Sequence, residues 1–328
     1  MNRYISKRLG IAILTLFLIT IVVFAIIQLP PGDFVDVMVG KMIAEGEVVT
    51  QVQIQELRNM YGVDRSFIVQ YFDWITGILK GDWGISLYYN QSVLSIIGET
   101  LVNTIVLSLF TLLFTYIVSV PIAIFSAKYQ NSIMDYFFNI VGFLGMAVPN
   151  FLLAIILMYI SQKVTGKPLM GLFPEGGITS WETFKEFLRN LIIPVIVIGS
   201  SETCGLIRVL RAQLLDEQQK PYILALRAKG VSEAILIYKY MLRSIINPIV
   251  SNLAGILKEL FNGSTITAIV LMLPVQGPVL LKALQTQDVY LSGAILLITA
   301  TIIVLGNVLS DILLSIIDPR IKYEEESN

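Results

Sequence analysis

The chain has 328 residues, of which 55% are hydrophobic and only 14% charged, with no histidine, one cysteine and a formal net charge of −1. Soluble domains carry about 25% charged residues, so this balance points to a membrane protein. It also argues against a basic nucleic-acid surface, imidazole zinc sites and histidine triads, and any internal disulfide or CxxC metal site; Cys204 reads as a small apolar residue inside a helix.

In chain order, "MNRYISKRLG" places Arg3, Lys7 and Arg8 ahead of an uncharged run from Leu9 to Leu29. Coiled as a helix that run reaches roughly 31 Å, enough to cross a bilayer core. A cleaved signal peptide has an apolar region of about 7–15 residues ending on small residues. This run is longer and ends "IIQLPPGD", so it is read as a retained first transmembrane helix. Region 30–99 follows. Apolar residues at helical spacing, Ile54, Leu57, Tyr61, then Ile68, Tyr71, Phe72, Ile75 and Ile78, predict two or three short amphipathic helices punctuated by Gly62 and Gly81. They are expected to form a small external helical subdomain on the membrane surface or the helix bundle. "NQS" at 90–92 fits a glycan acceptor, a pattern short enough to arise by chance.

Further apolar runs at 100–127, 134–161, 188–212, 244–270 and 290–317 bring the expected spans to six. The last four are interrupted by polar or glycine residues, as for helices packed against protein. Between them, 162–187 carries Gly166, Pro168, Pro174, Gly176 and Gly177 and reads as irregular. The Lys/Arg bias sets the orientation. The N-terminal tail, the segment 208–243 and the tail beginning "DPRIKYEEESN" share one side with an even number of spans, which makes both termini cytoplasmic. Segments 30–99, 162–187 and 271–289 then face outward. Arg208 and Arg211, at the cytoplasmic end of the fourth span, read as positive-inside anchors near a helix C-terminus.

Three charges fall within expected spans: Glu202 in "GSSETCG", and Lys258 and Glu259 in "GILKELFNGSTIT". Each costs about 2.5–3.5 kcal/mol at a span centre on insertion scales. Such groups serve either as an ion pair that fixes packing or as a polar lining for a solute pathway. Asn262 shares the face of Lys258 one turn on. Catalytic motifs are missing: there is no phosphate-binding Walker loop, no G-x-S-x-G elbow and no H-E-x-x-H. No catalytic residue, cofactor or metal is expected in the chain, and its role lies in what its helices enclose and what its loops touch.

The longest cytoplasmic connection, 213–243, holds "YILALRAKGVSEA". Ile223, Ala225 and Leu226 offer a modest apolar face. Gly230 allows a left-handed turn, and Ser232 is placed to cap the helix that follows. This is either an ordinary capped turn or a short exposed helix that fills a groove in another protein.

"ALRAKGVSEAILIYKYMLRSIINPI" resembles the cytoplasmic "EAA" loop of permease subunits of binding-protein-dependent ABC importers. The R-A-K-G-[VL]-S variant is that of the oligopeptide/dipeptide/nickel permease family, of the first-permease type. "YGVDRSFIVQYFDWITGILKGDWGISL" at 61–87, "NTIVLSLFTLLFTYIVSVPIAI" at 103–124, "PNFLLAIILMYI" at 149–160 and "LLSIIDPRIKY" at 313–323 agree in order along the chain. The resemblance implies an all-α integral membrane protein with six transmembrane helices in the type I importer arrangement. It divides the chain into a tail and first helix (1–29), the external subdomain (30–99), a five-helix permease core (100–317) and a cytoplasmic tail (318–328). It also implies that Ala225, Arg227, Ala228, Lys229, Gly230 and Ser232 are coupling positions docking into a separate ATPase. The implied partners are a second, paralogous permease, two ABC ATPase subunits, an extracellular solute-binding protein and membrane lipid, with no nucleic acid. Peptides are the expected cargo, with oligosaccharides or a nickel chelate as the same-architecture alternatives. A stand-alone carrier or channel, or a membrane-anchored scaffold without a pathway, is the rival class. Three departures stand out, one being Glu202, Lys258 and Glu259 at positions commonly apolar or small in the family. Leu224 and Leu226 replace the glutamate and second alanine of the general loop pattern, and "LPVQGP" keeps only Pro274 and Gly277 of the family's P-G-[LI]-G run.

Overall fold

The computed structural model describes residues 2–29, 31–174, 176–250 and 265–317. Its elements are α1 (Asn2–Gln28), α2 (Phe34–Ala44), α3 (Gln51–Tyr61), α4 (Phe67–Leu79), α5 (Val93–Lys128), α6 (Ile133–Ala147), α7 (Asn150–Thr165), α8 (Trp181–Gln218), α9 (Pro221–Ala228) and α10 (Glu233–Ile235). A π-helical segment (Leu236–Met241) continues α10 and leads into helical residues 242–250. Then come α11 (Thr265–Val270), α12 (Gln276–Gln285) and α13 (Val289–Ile317). The described chain is all-helical.

Four of these helices, over 8–28, 93–128, 181–218 and 289–314, are long and apolar enough to cross a membrane. Leu14, Phe17 and Val22 on α1, and Val102, Leu109 and Ile117 on α5, are more than 45% exposed. A water-soluble fold does not leave so much apolar surface uncovered, and hydrocarbon is the solvent that suits it. The expected third span, 134–161, is not one straight helix. It breaks into α6 and α7, which bend by 106° at Val148–Pro149. Proline crowds the residue before it out of the helical region, and Val148 is extended at φ −80°, ψ 124°. The expected fifth span, 244–270, has its centre in 251–264, outside the described residues; its two ends are helical. The irregular connection is shorter than 162–187. The helix α7 runs on to Thr165, and α8 starts early because Ser180 and Thr183 form a capping box.

The helices gather into two compact units. One comprises residues 2–102 and 275–305. Two of the short helices of 30–99, α3 and α4, stand where the periodicity puts them, with α2 ahead of them, and Gly62 closes α3 in the left-handed conformation at φ 66°. The buried face differs in detail: Trp74 is buried while Ile68 and Phe72 are exposed. Trp74 faces α13, where Gly293 leaves room for its indole. Phe24 of α1 meets Phe67 and Tyr71 edge-on, with centroids 5.2 and 5.5 Å away. Thr20 and Tyr71 share a 2.8 Å hydrogen bond. Asp288, fully buried, caps α13 by accepting the Leu291 N–H and also accepts the Ser86 hydroxyl and the Tyr88 N–H.

The other unit comprises Asn103–Pro274 with the part of α13 from Gly306 onward. Here α5 turns its hydroxyls inward: Thr104, Ser108, Thr111, Thr115 and Ser119 are buried at i, i+3 or i, i+4 spacing. Ser108 and Thr111 donate to carbonyls of their own helix, so they bury no unmet donor. Small residues let helices approach closely where lipid provides no hydrophobic drive. A Cβ at Gly199 would lie 2.9 Å from the Phe114 ring and 3.2 Å from Thr111. Gly199→Val is therefore expected to destabilise the protein by about 1–3 kcal/mol through overpacking. Gly205→Ala, in a position open to 4 Å, should be near neutral. Thermal midpoints in detergent check both.

Candidate functional site

The site is the end of α8, the helix α9 and the turn into α10. Gln219 ends α8, and Pro221 at the first position of α9 suits a helix start, where the missing N–H costs nothing. The short helix then makes its seat through one residue. Ile223 is fully buried in a cluster with Ala123 and Ala127 of α5, Leu206, Leu210 and Leu214 of α8, and Ile237, Met241 and Ile245. Burying one such side chain stabilises by about 1.5–3 kcal/mol. A polar clasp reinforces the seat. Glu217 is 4% exposed and accepts the Tyr222 hydroxyl, and Lys220 lies 2.7 Å from its other oxygen. Gln218 donates to the Ala127 carbonyl at the end of α5.

Burial and the Glu217 carboxylate together push the Tyr222 phenol up to about 12. A raised folded value means that the contact stabilises below the ordinary phenol range, near 10, and is lost as pH climbs through 12. The difference absorbance titration of the protein against its Tyr222→Phe variant should show a phenol ionising near pH 12; ionisation near 10 would contradict the clasp.

Beyond the seat the chain turns sharply. Gly230 is left-handed at φ +82°. Its N–H reaches the Arg227 carbonyl, and the Val231 N–H reaches that of Leu226. This pair of bonds is a Schellman cap. Across the turn Arg227 grips Glu233 with a two-pronged ion pair, Nε to Oε1 at 2.6 Å and Nη2 to Oε2 at 3.2 Å. That carboxylate holds the Arg227 guanidinium above its ordinary value. Ser232 starts α10, but its side chain makes no capping bond, contrary to its expected role; the Arg227–Glu233 clamp and the Schellman cap define the turn instead.

The six residues expected to couple to a partner, Ala225, Arg227, Ala228, Lys229, Gly230 and Ser232, are all exposed and lie on this one helix and turn. Of the expected apolar face, Ile223 points into the protein while Leu224, at 49% exposure, and Ala225 point out. Of the expected pathway residues, Glu202 is half-buried in α8 and near enough to the Tyr116 phenol to act on it electrostatically. It sits about 24 Å along the helix from Gln218, far from the turn. Lys258, Glu259 and Asn262 lie outside the described residues.

One structural partner escaped the sequence reading. Arg211 is not a loose anchor at a helix end, since α8 continues to Gln218. Its guanidinium forks onto Asp135 of α6, Nε to Oδ1 at 2.8 Å and Nη2 to Oδ2 at 2.7 Å. Asp135 is 1% exposed and also accepts the Asn131 N–H and the Asn139 amide. No spacing rule links residues 135 and 211. Arg208, one turn earlier, is exposed. Arg211→Met leaves a buried carboxylate unpaired and should cost about 3–5 kcal/mol, with much of the loss recovered in the Arg211→Met/Asp135→Leu double variant. Chemical denaturation of the four proteins of that cycle checks it.

Two family descriptions match this chain. "Binding-protein-dependent transport system inner membrane component" covers residues 119–323, and the N-terminal description for the same transport-system membrane components covers 1–108. The chain belongs to this family. It is 30% identical over 327 residues to the oligopeptide transport system permease protein AppB of Bacillus subtilis, covering 98% of this chain and 100% of that one. It is also 30% identical over 339 residues to the dipeptide transport system permease protein DppB of Alkalihalophilus pseudofirmus, with 98% and 100% coverage. To the di/tripeptide transport system permease protein DppB of Pseudomonas aeruginosa it is 28% identical over 340 residues, with 99% and 100% coverage. As a member, the chain is a multi-pass inner-membrane component of an importer built with other subunits, and the turn at 221–233 lies within the matched region.

Proposed function

We propose that the chain is the membrane-spanning permease subunit of an ATP-driven importer whose solutes are di- and oligopeptides. The relatives named above are peptide permeases at near-complete coverage, which favours peptides over oligosaccharides or a nickel chelate. In this reading the chain crosses the membrane six times with both termini in the cytoplasm. The spans at 9–29, 100–127, 134–161, 188–212, 244–270 and 290–317 alternate with an external subdomain at 30–99 and the cytoplasmic loop 213–243. A paralogous permease pairs with it to form the pathway, two ATPase chains dock below, and an external solute-binding protein docks above. Glu202, Lys258, Glu259 and Asn262 are the polar lining proposed for that pathway. The ATP chemistry belongs to the ATPases.

The observation that carries the coupling role is the mechanical form of the turn. Ala225, Arg227, Ala228 and Lys229 present an exposed surface, while Ile223 and the Glu217 clasp fix the same helix to α5 and α8. A push on the outer face is delivered to the long helices rather than absorbed by a floppy loop. Arg227 to Glu233 ties the far side of the turn, so the helix and the chain entering α10 move together. A stand-alone carrier has no use for such an external lever.

The test is ATP-dependent peptide uptake by the complex reconstituted in vesicles. Proline cannot adopt φ near +80°, so Gly230→Pro should abolish uptake while peptide binding to the external protein is unchanged. Asparagine tolerates the left-handed region, so Gly230→Asn should keep a substantial part. Full uptake by Gly230→Pro, or uptake driven by an ion gradient without the ATPases, would overturn the reading.

A further inference from the structure

Within the unit of residues 2–102 and 275–305 lies a cavity of about 220 Å³. A single water needs only about 10–15 Å³ by the same kind of measure. Its walls are aromatic and rigid. Phe24, Phe34 and Trp74 are each less than 10% exposed, and Tyr61 and Tyr290 join them in the lining. Phe34 and Tyr61 are locked edge-to-face at 5.3 Å.

The polar groups around it include donors, among them the Trp74 indole N–H and the Arg65 guanidinium, and three acceptors with spare capacity. Gln28 spends its amide nitrogen on Gln70, and Gln287 spends its own on the Pro31 carbonyl. Each keeps a second amide N–H, and neither carbonyl oxygen has a hydrogen-bond partner among the described residues. Asp73 uses one oxygen on Arg65 at 2.9 Å and has the other unengaged. Gln287 is held left-handed at φ 54° as part of the Schellman cap that ends α12, its N–H on the Leu284 carbonyl and the Asp288 N–H on that of Ala283, which fixes its side chain at the cavity wall. Aromatic faces and spare acceptors together suit a cation that donates hydrogen bonds, an ammonium group. Arg65, also in the lining, supplies one positive charge beside them.

The cavity takes part of its wall from the last turn of α1, through Phe24, Ile27 and Gln28. That turn ends the apolar stretch 8–28, so the cavity sits at the level where lipid headgroups meet water. The geometry points to a binding site for the ethanolamine headgroup of a membrane phospholipid. The ammonium rests among the aromatic rings, Gln28, Gln287 and Asp73, and the phosphate faces Arg65. The inference rests on the membrane reading of α1 and is independent of the peptide cargo.

The full-length protein reconstituted in nanodiscs of mixed phosphatidylethanolamine and phosphatidylglycerol provides the test, with retained lipid identified by native mass spectrometry. Retention of phosphatidylethanolamine above its share of the mixture is expected. Asp73→Asn should weaken that retention about fivefold, the size of one partly exposed charge contact. Gln287→Asn, which keeps the left-handed backbone but withdraws the carbonyl, should weaken it with an unchanged thermal midpoint. Retention in proportion to the mixture, or retention unmoved by both variants, would overturn the assignment. So would saturable binding of trialanine, but not N-acetyl-trialanine, with no lipid preference; the cavity would then belong to a peptide amino terminus.

Discussion

A bilayer core offers no water, so each backbone amide and buried charge in this chain must find its partner within the protein. The long helices meet the first demand by construction. Burial imposes the second demand on two carboxylates at helix ends, one in the first turn of α6 and one in the last turn of α8. Asp135 is closed off from solvent and is met by the two-pronged Arg211 together with two further donors. Glu217, likewise buried, is met by Lys220 and Tyr222. Neither carboxylate could stay where it is without its set of partners.

The same constraint inverts the usual pattern of α5. Several of its hydroxyls face protein, where Ser108 and Thr111 return hydrogen bonds to their own helix, while Ile105, Leu109, Leu113 and Ile117 face outward. Helices then pack by closeness rather than by hydrophobic drive, as Gly199 does against Phe114. The short helix α9 is seated on this packing. Ile223 joins it to α5 and α8 in one cluster, and the π-helical segment Leu236–Met241 supplies that cluster with Ile237 and Met241. Short helix, seat and long helices form a continuous packed path.

Much of this was legible in the residues because it depends on local chemistry. Glycine at 230 announced a left-handed turn, and Gly62 announced the end of a short helix. Apolar length marked the C-terminal ends of α1 and α5 and the start of α13 to within about a residue, though α1 and α5 begin well before their expected spans. Other features were hidden because they join distant positions or depend on which neighbour is present. The Asp135–Arg211 pair spans 76 residues. Arg227 and Glu233 are six apart and meet only because the turn folds them together. The break between α6 and α7 had a local cue in Pro149, but the apolar run on both sides outweighed it. Ser232 had the chemistry of a cap yet was not used as one.

By itself the sequence determined the solvent of this protein, its helical class, the family loop and the turn at Gly230, because composition, run length and backbone preference act residue by residue. Only the tertiary structure decided which side of α9 is buried, which charges neutralise one another, and where the 134–161 run bends. Those outcomes belong to pairs of residues brought together by packing, and no single stretch of chain contains both members.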